Sequence, residues 1–383
     1  MTKGSPCFAT ALFLIAGLLA CDARKRADVS QPQVDASGDA VDTSLPDTKS
    51  SASDRSDTGL PSEDERPGNG DMPAAALDNA PAPDTRTDGD ATLPMIVEFV
   101  LPTPNAFPRM IAAGTDGNLW FTEPDANKIG RITPLGDIAE FVVTTANAQV
   151  TDITAGPDGN MWFSEQGSNK IGRITPAGVI TEFESVWTSP WGLVKGPDNN
   201  LWFTAYGSNR VARMTPTGTV TDFSIPTSSA IPWAITNGPD GNLWFTETDG
   251  NKVARITPTG AILEYTLPQR GPPTLIASGP DGNLWFTESE ANKIGRITPT
   301  GAITEFTIPT ASSSPNGIVA GPDGNLWFTE TRGNKVGRIT PAGEITEFPI
   351  PTVTSNPTDV AVGSDGHIWF TERAGNKIGR LAP

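Results

Sequence analysis

The chain has 383 residues and a formal net charge of −17, with 44 Asp or Glu against 27 Lys or Arg and a single histidine. That balance excludes nucleic acid as a partner, because holding a phosphate backbone needs a basic surface. Two cysteines, Cys7 and Cys21, are too few for a disulfide framework or a cysteine metal cluster.

Residues 1–20 begin with Lys3 and continue in an almost wholly apolar run from Phe8 to Ala20. The run is short for a transmembrane helix and reads as a signal-peptide core. It ends in Leu18-Leu19-Ala20-Cys21, which resembles a bacterial lipoprotein cleavage box. The alternative is an ordinary secretory signal in which Cys21 falls by chance. On the lipoprotein reading Cys21 becomes the lipidated N-terminus, and several acyl chains give the stable anchoring that one does not. Cys7 leaves with the signal, so the mature chain has no disulfide. The expected location is the cell envelope, with the protein anchored to a bacterial membrane through that lipid alone and facing the periplasm or the exterior.

Residues 21–94 form an acidic tether rich in Ser, Pro and Asp. From residue 22 it holds 16 Asp or Glu against 7 Lys or Arg and no aromatic residue. Such a segment buries too little apolar surface to offset its ordering entropy and is expected to be disordered. As a coil it reaches roughly 50 Å, enough to hold a folded domain clear of a membrane.

Residues 95–383 are a repeat. Trp-Phe recurs at Trp120, Trp162, Trp202, Trp244, Trp285, Trp327 and Trp369, at spacings of 42, 40, 42, 41, 42 and 42 residues. A period that regular marks one supersecondary unit copied along the chain. In the sixth copy Asn316 to Gly321 is a short apolar run, Pro322-Asp323-Gly324 is a tight turn, and Asn325 to Glu330 is a second strand. Asn334 to Thr340 and Glu344 to Ile350 supply two more, separated by Pro341-Ala342-Gly343. Leu326-Trp327-Phe328 has no polar alternation, so both faces of that strand are buried. Four strands joined by tight turns make one antiparallel blade. The fold class is therefore all-β, a seven-bladed β-propeller. The last copy lacks a fourth strand, and Ile96 to Leu101 matches a fourth strand without a blade. The N-terminal strand is expected to close the last blade and leave no open edge in the ring.

Residues present in every copy read as scaffold. They include the Asn series from Asn127 to Asn376 and the Arg series from Arg131 to Arg380. A Glu ends the second strand in six copies, Ala205 being the exception, and a Lys five residues on is placed to face it. Turn capping and strand-to-strand ion pairs are the expected roles.

The unit Leu-Trp-Phe-Thr-Glu, Asn-Lys-Ile-Gly-Arg-Ile-Thr and Gly-x-Ile-Thr-Glu-Phe, as at Leu284 to Phe306, resembles that of streptogramin B lyase (virginiamycin B lyase), a seven-bladed propeller. The resemblance covers residues 95–383 and is specific for the repeat, much less so for activity. It implies an enzyme that opens a cyclic depsipeptide by elimination at an ester. The implied groups are a histidine base, a second histidine holding substrate, and magnesium on acidic residues. Carried over by position, the base falls at Thr358, the substrate-holding histidine at Asn316, and one metal ligand at Asn356, with another near Glu372 or Arg373. Proton abstraction next to a carbonyl needs a base with a pKa near the working pH, which Thr358 is not. The one histidine, His367, follows the Asp365-Gly366 turn and belongs at the opposite end of the ring.

A unique site must lie where the copies differ. One step into each first strand stand Arg109, Thr151, Trp191, Trp233, Thr274, Asn316 and Thr358, at the expected channel mouth. Trp191 and Trp233 occupy equivalent places in adjacent blades, Trp187 also breaks the pattern, and Ala205-Tyr206 departs from it in the third blade. An aromatic platform there would stack a sugar, an aromatic ring or an apolar peptide face, with Arg109, Asp152 and Asp359 adding polar contacts. The competing expectation is that the tryptophans plug the channel. Asp359 with Glu372 would suit a hard cation. The expectation is thus a monomeric extracytoplasmic module for a small-molecule, glycan or peptide ligand. The alternative is a magnesium-dependent carbon–oxygen lyase that linearises streptogramin B antibiotics, and a third is a purely structural surface protein.

Overall fold

Each copy folds as its turn residues and apolar runs dictate. The protein is described here by a computed structural model covering residues 95–383; the signal, Cys21 and the acidic tether lie outside the described residues. In blade 1, β2 (Ile111–Ala113), β3 (Leu119–Glu123), β4 (Lys128–Ile132) and β5 (Ile138–Val142) pair antiparallel in chain order. The same four-strand order recurs in six blades. The seventh joins β26 (Pro357–Val362), β27 (Ile368–Glu372) and β28 (Lys377–Leu381) to β1 (Ile96–Val100). β1 lies in register along β28, from Ile96 opposite Leu381 to Val100 opposite Lys377. Glu98 takes the Lys377 ammonium at 2.7 Å and the backbone N–H of Thr352 at 2.9 Å, which ties this strand to blade 6 as well. The expected closure is therefore met.

The second strand of every blade is buried along its whole length, as the unbroken apolar pattern requires. Its Trp stacks on the fourth-strand aromatic of the same blade, as Trp285 does on Phe306 at 5.5 Å and Trp369 on Phe99 at 5.4 Å. The indole N–H donates to the turn Asp four residues earlier, Asp281 for Trp285 at 3.0 Å. The third-strand Arg lies over the same ring pair and reaches the next blade, where Arg296 donates to the Pro341 carbonyl at 2.9 Å. The repeated Asn adopts a left-handed conformation that Asn tolerates, φ 58° at Asn292, and its amide clamps the loop leading to the next blade.

One expected pairing is corrected. Lys128 lies opposite Glu123 in register, yet its ammonium goes to Glu140 of the fourth strand at 2.7 Å. The same happens at Lys252 with Glu264, Lys293 with Glu305 and Lys335 with Glu347. The second-strand Glu is left fully buried, and in Glu123, Glu247, Glu288, Glu330 and Glu372 neither carboxyl oxygen has a partner. Burial pushes these five up to about 8, and Glu165 to about 7. The exceptional blade drops the group altogether. With Ala205 in place of Glu, its third and fourth strands carry Arg210 paired with Asp222, a neutral couple needing no third charge.

Candidate functional site

The first strands line the channel, and the loops that open them form the mouth. In six blades a residue of the loop that leads into the first strand is left-handed: Phe107, Gln149, Ser189, Ile231, Ser314 and Asn356, with φ between 49° and 54°. In the β-branched Ile231 this conformation costs about 1–3 kcal/mol. The turn sets each strand's direction, and the side chain two residues on belongs to the variable ring.

β10 (Pro190–Lys195) and β14 (Pro232–Asn237) bring Trp191 and Trp233 together, with ring centroids 4.0 Å apart and planes at 42°. Close approach of the two strands requires Gly192, where a Cβ would meet the Trp233 carbonyl oxygen at 2.6 Å. Tyr206 completes the cluster, 6.2 Å from Trp191 and 5.9 Å from Trp233. Trp191 is only 2% exposed, because Arg109 of blade 1 reaches past blade 2 and lies 4.4 Å over its ring. The expected open platform is thus corrected in part. Trp191 serves as the support for a guanidinium, and Trp233 keeps partial exposure. Trp187 does not join them. It sits under Arg210 at 4.2 Å and packs with the blade 2–blade 3 core.

Asp152 and Asp359 were expected to offer polar contacts. Both are occupied instead: Asp152 accepts the Leu193 N–H at 2.7 Å and the Ile153 N–H at 2.8 Å, and Asp359 accepts the Ile111 N–H at 3.0 Å. They clip one blade to the next along the channel wall. Burial pushes each up to about 7.

Asn316 and Thr358 stand in the ring as the repeat places them. The Asn316 carbonyl receives the Thr287 hydroxyl at 2.7 Å, and the Thr358 hydroxyl donates to the Asn356 carbonyl at 3.2 Å. Asn356 and Glu372 meet at the same end of blade 7, where the Arg373 N–H donates to the Asn356 carbonyl at 3.2 Å. The pair does not fit magnesium. That ion keeps several waters and near-octahedral geometry, whereas both Glu372 oxygens are sealed from solvent, just as they are in the blades lacking this Asn. Among the described residues no group of three His, Cys, Asp or Glu converges on a metal position. His367 lies in the turn between β26 and β27, with Nδ1 3.1 Å from its own turn's Asp365.

Phe107 does not figure in the sequence pattern, and Arg373 figures there only as a position near the implied metal ligand, not as a cation stacked on a ring. Arg373 projects from the end of β27 and lies 5.9 Å over the Phe107 ring. The signal was available: the residue after the repeated Glu varies as Pro124, Gln166, Tyr206, Thr248, Ser289, Thr331 and Arg373.

Comparison with known proteins agrees with this architecture. The virginiamycin B lyase family profile matches residues 86–190 and 184–383. A solved streptogramin B lyase is 39% identical, with TM-score 0.73, over 77% of this chain and 99% of that one. A catalytically inactive virginiamycin B lyase variant from Staphylococcus aureus, solved with quinupristin, is 38% identical over 76% of this chain and 99% of that one, with TM-score 0.73. Hydrazine synthase from Kuenenia stuttgartiensis, at 13% identity, TM-score 0.62, and 74% and 97% coverage, shares the fold alone. On the strength of its sequence repeat, its closed seven-bladed ring and these matches, the chain belongs to the virginiamycin B lyase family.

Proposed function

We propose that this propeller is a ligand-binding module held in the cell envelope by a lipid on Cys21, and that it does not carry out streptogramin elimination. The observation that carries the binding reading is the concentration of the non-repeating residues Arg109, Trp191, Trp233, Tyr206 and Arg373 at one mouth of an otherwise uniform ring. The case against elimination is chemical. The positions that the resemblance assigns to histidines hold Thr358 and Asn316, and neither side chain accepts a proton near neutral pH.

The test is incubation of the purified mature protein with a streptogramin B and Mg²⁺, followed by chromatography, because elimination opens the ring without changing mass. The expected outcome is intact antibiotic. Linearisation that Thr358→Ala or Asn316→Ala abolishes would overturn the proposal in favour of a lyase with altered groups. For the anchor, Cys21→Ala is expected to move the protein from the membrane fraction to the soluble fraction.

A further inference from the structure

Two guanidinium groups at the mouth lack acceptors. Arg109, part-buried, forms no ion pair and its side chain makes no hydrogen bond among the described residues; Arg373, which is exposed, likewise makes neither. Both are held by their faces. Arg109 rests on Trp191 at 4.4 Å and Arg373 on Phe107 at 5.9 Å. Stacking satisfies the plane of a guanidinium and leaves its edge, with five N–H donors in a fixed fork, free for a planar or tetrahedral oxyanion.

The two groups belong to one place. The Thr371 hydroxyl donates to the Arg109 carbonyl at 2.8 Å, which joins the end of β27 to the start of blade 1. Arg373 leaves the chain two residues later, and its charge acts directly on Arg109. Burial and this like charge bring Arg109 down to about 10, so it stays cationic at neutral pH. Of the two carboxylates that act on Arg109, Asp152 is engaged by backbone N–H groups and Asp125 is on the exposed connection of blade 1. Neither forms an ion pair with either arginine.

Neither position is scaffold. In other blades the residue matching Arg373 has a structural task, as when the Thr248 and Thr331 hydroxyls donate to the Pro273 and Pro357 carbonyls of the next blade. Arg373 gives up that bond. Its position and that of Arg109 differ from their six counterparts and lie in adjacent blades, 7 and 1.

We propose that Arg109 and Arg373 form an oxyanion-binding site on aromatic supports, and that the ligand is a small molecule carrying a carboxylate or phosphate beside an apolar ring that rests on Trp233 and Tyr206. This rests on the reading of the mouth as a ligand site and adds the ligand's charge. The test is titration of the full mature protein with benzoate and phenyl phosphate, and with the neutral benzamide and phenyl glucoside, followed by ligand-observed NMR. Arg109→Gln, Arg373→Gln and Trp233→Ala are measured alongside, each checked for wild-type circular dichroism. The expected result is at least tenfold preference for one or both anions over the neutral probes, falling with added salt. That preference is lost in both arginine variants, while Trp233→Ala weakens every probe. The stronger of the two anions names the headgroup. Equal binding of neutral and anionic probes overturns this inference and leaves the proposed ligand site standing. Binding of none of the four overturns both.

Discussion

Glu288→Gln tests the physical account of the buried carboxyls. Glu288 is fully buried, neither oxygen has a partner, and burial followed by the charge of Glu305 raises it from 4.5 to about 8, against the opposing pull of Lys293. The unfolded chain releases this proton near pH 4.5, whereas the folded chain keeps it. The stabilisation of the neutral form is therefore present in full below pH 4.5 and is lost as pH rises through about 8. Glutamine has the shape of the neutral acid and does not titrate. The stability difference between variant and wild type should then grow by about 1.4 kcal/mol per pH unit across that window, to an upper bound of about 5 kcal/mol. Water penetration and local relaxation reduce this to about 2–4 kcal/mol. Urea unfolding at pH 5, 7 and 9 measures it. The expected result is near-equality at pH 5 and a clear advantage for the variant at pH 9. Parallel pH profiles for the two proteins would refute the claim that Glu288 is held neutral.

The remaining predictions concern the scaffold. Phe286→Ala removes a fully buried ring and should cost about 3–5 kcal/mol in urea unfolding. Gly317→Ala places a Cβ 2.7 Å from the Asp359 backbone, which cannot give as a side chain can, and should cost about 1–3 kcal/mol by the same measurement. Removing the residues up to and including Val100 takes away β1, unstacks Phe99 from Trp369 and bares the edge of β28. The lost burial of Ile96 and Phe99 alone should cost about 3–6 kcal/mol. Self-association should appear in analytical ultracentrifugation, since an unpaired edge is a template for further strands.

The buried carboxyls also show where pattern reasoning runs short. Glu five residues before Lys suggested a pair, and β-register does bring the two opposite each other. The ammonium chose the fourth-strand Glu because a Thr hydroxyl joins it there: the Lys128 ammonium sits 2.5 Å from the Thr103 hydroxyl and 2.7 Å from Glu140. Thr103 comes from the adjacent blade, so no reading within one repeat could include it. The tryptophans teach the same lesson. Their departure from the repeat correctly marked Trp191 and Trp233 as neighbours, since equivalent places in adjacent blades must lie close. It could not separate Trp187, whose loop position turns it onto Arg210.

By itself the sequence determined the blade, the number of blades and the closing strand. Each of these follows from local signals, namely turn residues, unbroken apolar runs and a fixed period, and each is repeated often enough to be read without contacts. Only the tertiary structure decided what the variable residues do. The channel is lined by one strand from each blade, so its contacts join residues far apart in the chain. Arg109 of blade 1 covers Trp191 of blade 3, and Arg373 of the last blade stands beside the first. Those distances depend on the ring's closing, and no stretch of sequence carries them.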